Sequence, residues 1–311
     1  MTKETNQNEN STEKTVRNIK RDRKVRESNV KRAKRRTSEV SDEKSKVKPR
    51  NKRAPRRRVD SKVETEYDFE FKKGKLKIIP LGGLEEIGKN ITVFEYEDEI
   101  ILVDCGLEFP EDNMLGVDMV IPDVTYLERN KDKLKGLVIT HGHEDHIGSI
   151  PYVLKKVDMP IYATKLACGL IKNKLEEHKM VRKTKLIEVM PGETINFGKI
   201  KVEFIRSSHS IPDSVMLAIK TPVGTILHTG DFKIDYTPID GQVMDFGRIA
   251  ELGNEGILAL MSDSTNSERK GYTMSESTVG DVFEKLFQNC TKRIVVATFA
   301  SNVHRVQQIV N

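Results

Sequence analysis

Cysteine is scarce in this chain of 311 residues, tryptophan is absent, and no apolar run approaches the length of a membrane span. Cys105, Cys168 and Cys290 lie far apart and form no C-x-x-C pair, so neither a disulfide framework nor a cysteine zinc site is indicated. The N-terminus contains too many acidic residues, and is too uniformly polar, to resemble a secretory signal. We therefore expect a protein of the reducing cytoplasm with no membrane segment.

The first 58 residues contain no Phe, Tyr or Trp, and their charge is of one dominant sign. They hold 22 Lys and Arg against 8 Asp and Glu, a net charge of +14, whereas the remainder carries a net charge of −8. So polar a segment cannot bury enough surface to offset chain entropy, which predicts a disordered basic tail over residues 1–66. Such a tail either attracts phosphate backbones or is simply solvated, and the sequence alone favours neither.

From Lys75 onward the chain alternates strand-like and helix-like patterns, which is typical of an α/β fold. Strands are predicted at Leu76–Leu81, Ile91–Tyr96, Glu99–Val103, Leu137–Thr140, Ile161–Ala163, Leu186–Val189, Ile200–Ile205, Val215–Lys220, Thr225–His228, Ile257–Met261 and Arg293–Thr298. Helices are predicted at Ser149–Lys156, Lys165–Lys179 and Val303–Val310.

The segment from His141 to His146 has the pattern H-x-H-x-D-H, directly after an apolar strand pattern. In an extended loop, alternate side chains point the same way, so His141 and His143 can offer imidazole nitrogens to one cation. Asp145 and His146 are then within reach of a second. Mixed imidazole and carboxylate ligands suit zinc, with manganese as a substitute, and suit calcium poorly.

Two cations need more ligands than one loop supplies, and other candidates follow later strand patterns. His209 can complete the first ion, and the Asp231 carboxylate could bridge both. Each taken alone is better explained as an ordinary polar loop residue, but together with the first cluster they indicate a shared set of ligands. Asp104, at the end of another strand pattern, is better placed to accept the remaining N–H of a ligand imidazole than to bind a cation.

The glycine-rich segment from Gly83 to Asn90 comes close to a nucleotide-binding P-loop. A P-loop must open into a helix, yet the following residues from Ile91 to Tyr96 alternate and are β-branched. We therefore predict a turn between two strands.

Together these motifs resemble the metallo-β-lactamase superfamily and, within it, the ribonuclease J family of the nucleic-acid-processing β-CASP branch. The resemblance depends on segments that run from Pro80 to Asn90, Val103 to Gly106, Thr140 to Gly148, Ser208 to Asp213, Thr229 to Asp235, Ser262 to Asn266 and Ala297 to Asn302. It implies an αββα sandwich over residues 67–265 and the start of an inserted β-CASP domain over residues 266–311.

The resemblance also implies roles for single residues. His141, His143 and His209 would bind one zinc ion, Asp145 and His146 the other, and Asp231 both. Asp263 matches the family's first β-CASP acidic motif, for which proton donation is the proposed role; a plain turn carboxylate is an equal alternative.

The family has two further histidines beyond the last residue of this chain, and the chain stops inside a helical pattern, so we expect an N-terminal fragment that binds its second ion weakly. The implied activity is zinc-dependent hydrolysis of single-stranded RNA, both 5′-to-3′ exonucleolytic and internal, in rRNA maturation and mRNA turnover. A homo-oligomer and RNA-degradation or ribosome-associated partners are further expectations.

Ser301 and Asn302 could offer backbone N–H groups to an RNA phosphate with Arg305 beside them, or could merely cap a helix. Two other functions stay open. One is a small-molecule hydrolase of the same fold, acting on a thioester or lactam, and the other is a noncatalytic RNA-binding scaffold.

Overall fold

A computed structural model describes residues 74–310. The predicted basic tail, residues 1–66, lies outside this range. The strands are β1 (Leu76–Gly82), β2 (Ile91–Tyr96), β3 (Glu99–Val103), β4 (Leu134–Val138), β5 (Ile161–Ala163), β6 (Leu186–Glu188), β7 (Thr194–Asn196), β8 (Lys201–Arg206), β9 (Val215–Thr221), β10 (Gly224–His228) and β11 (Ala259–Met261). The helices are α1 (Thr125–Arg129), α2 (Glu144–Ile147), α3 (Ile150–Val153), α4 (Lys165–Glu177), α5 (Phe246–Glu255), α6 (Ser277–Phe287) and α7 (Val303–Val310), with a 3-10 turn at Lys131–Lys133.

The strands form two sheets. Strands β1 to β6 lie side by side in chain order, antiparallel from β1 to β3 and parallel from β3 to β6. The second sheet has the order β11-β10-β9-β8-β7 and is antiparallel except for the β10–β11 pair. Because β8 and β10 both pair antiparallel with β9, they run in the same direction and end at the same edge.

Alternation along the strands sorts the apolar side chains into three layers. On β3, Ile100 and Leu102 join the core beneath α3 and α4, whereas Ile101 and Val103 face the second sheet. On β9, Leu217 faces the first sheet. Neighbouring residues on β9 pack with Leu252 of α5 on the outer side. The order is helix, sheet, sheet, helix, so the predicted αββα sandwich is confirmed.

Several predicted elements need correction. Strand β4 ends at Val138, two residues early, because the backbone N–H of Thr140 donates to the Asp104 carboxylate and not to a neighbouring strand. No strand forms over residues 293–298, which are exposed in the described part of the chain and have no strand beside them. The helix predicted from Ser149 shrinks to α3, and β7, α1, α2, α5 and α6 were not predicted.

The glycine-rich segment forms the predicted turn between β1 and β2, and β2 follows it in place of the helix that a P-loop requires. Within residues 74–310, every helix is too short or too polar to cross a lipid bilayer.

Candidate metal centre

The candidate metal ligands come from loops that follow the carboxyl ends of strands in both sheets. The segment from His141 to His146 follows β4, His209 follows β8, and Asp231 follows β10. His143 ends the extended part of the first segment, and Asp145 and His146 lie on the short helix α2, so the sequence-based picture of one extended loop is wrong. The turn brings these two side chains toward Asp231.

Two overlapping clusters result. The first contains His141, His143, His209 and Asp231, and the second contains Asp145, His146 and Asp231. Within each cluster, one potential ligand atom from every residue lies within 4.8 Å of the others. The structure therefore brings together all six residues that the sequence singled out, with Asp231 common to both clusters.

Three imidazole nitrogens converge in the first cluster. His143 Nδ1 is 3.0 Å from His141 Nε2 and 3.2 Å from His209 Nε2. Burial lowers the pKa of all three imidazoles, that of His209 to about 4, so they are neutral near pH 7 and carry lone pairs. Converging neutral imidazoles suit a zinc-like cation.

In the second cluster, carboxylates surround the ring of His146. Burial acts to lower the pKa of this imidazole, but the nearby carboxylates of Asp104, Asp145 and Asp231 outweigh it and raise the pKa well above its usual value. His146 Nε2 lies 3.5 Å from Asp145 Oδ2 and 3.4 Å from Asp231 Oδ1. The pocket therefore favours a positive charge at this nitrogen.

The other oxygen of Asp231 faces the first cluster, with Oδ2 3.8 Å from His209 Nε2. For Asp231, burial acts to raise the pKa, but the hydrogen bond and charge of His146 prevail and lower it to about 2. An ionised carboxylate with one oxygen toward each cluster is the geometry that a bridging ligand requires.

Asp104 holds the His146 ring from behind. Its buried Oδ2 lies 2.8 Å from His146 Nδ1 and 2.8 Å from the hydroxyl of Thr140, which donates to it. The backbone N–H of Thr140 donates to Oδ1 at 2.8 Å. Because Nδ1 faces the Asp104 carboxylate, Nε2 is the nitrogen that His146 presents to Asp145 and Asp231, and a cation there would take the place of its proton.

Two glycines allow the loops to approach this closely. A Cβ atom at Gly106 would lie 1.5 Å from the carbonyl oxygen of Asp145. Gly230 has a φ of +53°, and a Cβ there would lie 2.9 Å from the Cβ of Thr140. Side chains at these positions would displace the segments that present Asp145 and Asp231.

Asp263 follows β11 and lies beside the centre. Its backbone N–H donates to the hydroxyl of Thr229 at 2.9 Å, and its charge is close enough to act on the pKa of His209. Its Oδ1 also accepts the backbone N–H of Thr265, the turn interaction that was the alternative to a catalytic role. Both features coexist, and the catalytic role stays a prediction.

In the structure, the residues predicted to contact RNA cap a helix and form an ion pair. Asn302 Oδ1 accepts the backbone N–H of Arg305 at the start of α7, and Ser301 lies just before it. The Arg305 guanidinium is paired with Glu276 instead of standing free beside the helix terminus. An RNA-binding role would require Arg305 to exchange Glu276 for a phosphate.

Sequence reasoning missed Asn90, whose side-chain amide contacts both Asp145 and His146. It also missed Thr140 as a donor to Asp104. The signals for Asn90 were its place at the end of the glycine-rich turn and in the segment from Pro80 to Asn90, on which the resemblance depends.

The fold and the centre define a class. Residues 85–263 match the model of the metallo-beta-lactamase superfamily, and the chain belongs to that superfamily. Membership in this superfamily implies metal binding. A solved structure of a protein of unknown function from Enterococcus faecalis V583 matches this chain with a TM-score of 0.57 and 17% sequence identity. The match covers 76% of this chain and 63% of the other, and it supports the fold alone.

Among curated proteins, the chain is similar to ribonuclease J proteins. It is 55% identical over 238 residues to ribonuclease J of Synechocystis sp., covering 76% of this chain and 37% of that protein. It is 48% identical over 241 residues to ribonuclease J 1 of Streptococcus pyogenes, covering 78% and 43%. Ribonuclease J2 of Bacillus subtilis is 47% identical over 236 residues, covering 76% and 42%. The chain therefore spans about two fifths of the length of these relatives.

Proposed function

We propose that this protein is a ribonuclease that hydrolyses phosphodiester bonds of single-stranded RNA with two divalent cations, zinc by preference and manganese as a substitute. The observation that carries the proposal is the position of Asp231, whose two oxygens face two separate sets of ligands. A pair of neighbouring cations is a common arrangement for phosphodiester hydrolysis. The names of the similar proteins add support for RNA as the substrate.

His141, His143 and His209 would hold one cation, Asp145 and His146 the other, and Asp231 both. Two bound cations would supply Lewis acidity toward a phosphate and make water nucleophilic near neutral pH. The protein's own contribution is to make one nitrogen of each histidine available to a cation. Burial does this for the three histidines of the first set, and Asp104 does it by holding the proton of His146 on Nδ1.

Asp263 is proposed to give a proton to the leaving 3′ oxygen of the RNA. Its Oδ1 is engaged by Thr265, so the proton would be carried on Oδ2. Cleavage would then leave a free 3′-hydroxyl and a 5′-phosphate. We include in the proposal both 5′-to-3′ exonucleolytic trimming and internal cuts, serving rRNA maturation and mRNA turnover.

The charge distribution favours RNA over a small neutral substrate. Residues 1–58 carry a net charge of +14, and the acidic remainder would by itself repel a polyanion. We propose that the tail attracts the RNA backbone to the body. A homo-oligomer and a cytoplasmic location complete the proposal, the latter supported by three free cysteines.

The test compares Asp231→Asn with Asp123→Asn in the intact protein. Asp123 is exposed and accepts hydrogen bonds only within its own turn, from Thr125, among the contacts described for residues 74–310. We expect Asp231→Asn to lower cleavage of a labelled 5′-monophosphate RNA by roughly 100-fold or more, beyond the range typical of outer-shell changes. Asp123→Asn should cleave at the parental rate.

The alternatives predict different outcomes of the same assay. A small-molecule hydrolase would leave the RNA intact and open a lactam or thioester. A noncatalytic scaffold would bind RNA and cations without cleaving either class of substrate. Each result would overturn the proposed ribonuclease.

A further inference from the structure

Asn90 ends the turn between β1 and β2, where its backbone is joined to two segments of the metal centre. Its N–H donates to the carbonyl of Asp145 at 3.1 Å, and its carbonyl accepts the N–H of Gly106 at 2.9 Å. The turn is therefore fixed directly against α2, the helix that presents Asp145 and His146.

The side-chain amide of Asn90 points at the same two residues. Nδ2 lies 3.1 Å from the carbonyl oxygen of Asp145, 3.3 Å from Asp145 Oδ2 and 3.2 Å from His146 Nε2. Both oxygens of Asp145 are acceptors, so the amide presents its nitrogen to them. The orientation of the amide, with nitrogen toward the cluster, is thus dictated by its surroundings.

The site is built to admit this side chain. A Cβ atom at Gly83 would lie 2.6 Å from Asn90 Oδ1, so glycine at that position leaves the room that the amide needs. Gly83 also has a φ of +86°, which other residues rarely adopt.

We infer that Asn90 is a positioning residue for the second cation, and this inference rests on the proposed pair of cations. Its N–H groups hold the carbonyl and the carboxylate of Asp145, with His146 Nε2 3.2 Å from the same amide nitrogen. The two hydrogens of the amide match the two acceptor oxygens of Asp145, which leaves His146 Nε2 to a cation. Among the hydrogen bonds described for residues 74–310, those of the Asn90 side chain reach only the second cluster.

The experiment replaces Asn90 by leucine, whose side chain has a similar branched shape but is larger and has no hydrogen-bonding groups. Asn130→Leu is the matched control, because Asn130 Nδ2 also donates to a backbone carbonyl, that of Tyr126, outside the metal centre. Zn²⁺ alone is titrated into each intact protein by calorimetry, and unfolding of the zinc-free forms is followed by heating. Asn90→Ser retains one donor hydrogen and serves where the leucine variant does not fold.

We expect Asn90→Leu to weaken binding of the second zinc ion about 10- to 100-fold, the range found for groups that orient metal ligands, and to leave the first within twofold. Asn90→Ser should fall between Asn90→Leu and the parent, and Asn130→Leu should bind both ions as the parent does. Equal weakening of both ions in Asn90→Leu would mean a merely structural role and overturn the inference.

Failure of the proposed function would look different. A parent protein that binds fewer than two zinc ions would contradict the cation pair itself. If the parent binds two zinc ions and both Asn90 variants bind the second ion within twofold of the parent's affinity, only the role of Asn90 is overturned.

Discussion

Replacing Asp104 by asparagine tests how the protein keeps His146 ready for a cation. The Asp104 carboxylate is buried and accepts from the backbone N–H and hydroxyl of Thr140, and its Oδ2 is bonded to His146 Nδ1. Its φ is +60°, a left-handed conformation that asparagine tolerates as well as aspartate does. The substitution therefore changes the hydrogen bonds without straining the backbone.

The size of the expected loss in affinity for the second cation follows from the number of acceptor oxygens on the side chain at position 104. An amide has one acceptor oxygen, so its NH₂ group must face either the N–H of Thr140 or Nδ1 of His146. In the second case the proton of His146 moves to Nε2, the atom that faces Asp145 and Asp231. Losing one charge-assisted hydrogen bond costs about 1.5–3 kcal/mol. At about 1.4 kcal/mol per tenfold, the second cation should bind roughly 10- to 100-fold more weakly.

Equilibrium dialysis with metal analysis measures this loss, and RNA cleavage should fall in parallel at limiting zinc. The control is Asp123→Asn, an exposed aspartate whose described hydrogen bonds stay within its own turn. If Asp104→Asn kept its second-ion affinity within twofold of the parent, the argument that Asp104 fixes the proton on Nδ1 would be refuted.

Three further changes test other parts of the structure. Gly106→Ala should cost about 3 kcal/mol and lower zinc content, because its Cβ would lie 1.5 Å from the Asp145 carbonyl; an unchanged urea midpoint would contradict this. Glu203→Gln should cost about 1.5–3 kcal/mol at pH 7, since Arg248 holds the pKa of this carboxyl below 4.5. That contribution exists above the unfolded pKa and disappears as pH falls through the folded one, so the urea midpoints of parent and variant should converge below pH 4.5. Arg305→Gln should weaken RNA binding in a filter assay with zinc content unchanged, and a loss of zinc would count against its predicted role.

The ligands from His141 to His146 were predictable because they depend on local information. Three histidines and an aspartate at fixed spacing, directly after one strand pattern, specify both ligand type and position, whereas His209 and Asp231 were added because two cations need more ligands. The end of strand β4 could not be predicted from the local pattern, because a contact distant in the sequence determines it. The local pattern predicts that Thr140 belongs to the strand. In the structure its backbone N–H donates to Asp104, 36 residues away, and the strand ends before it.

The contribution of Asn90 could not be read from its neighbours. Its acceptors lie 55 and 56 residues along the chain, and they come within reach only when the β1–β2 turn packs against α2. Helix α5 was missed for a related reason. Its Arg248 is bonded to Glu203 on β8, a contact between two elements that local periodicity does not report.

The candidate ligands come from both sheets, and this links cation binding to the packing of the sandwich. His141 to His146 follow β4 of the first sheet, whereas His209 and Asp231 follow β8 and β10 of the second. Neither sheet alone offers a complete set, because each cluster requires Asp231 together with residues after β4. The apolar layer between the sheets, including Val138 and Leu217, therefore sets the distance between the two halves of the centre. A substitution that thins this layer should weaken the binding of both cations together. Changes at Asp104 or Asn90 should weaken the binding of the second cation alone.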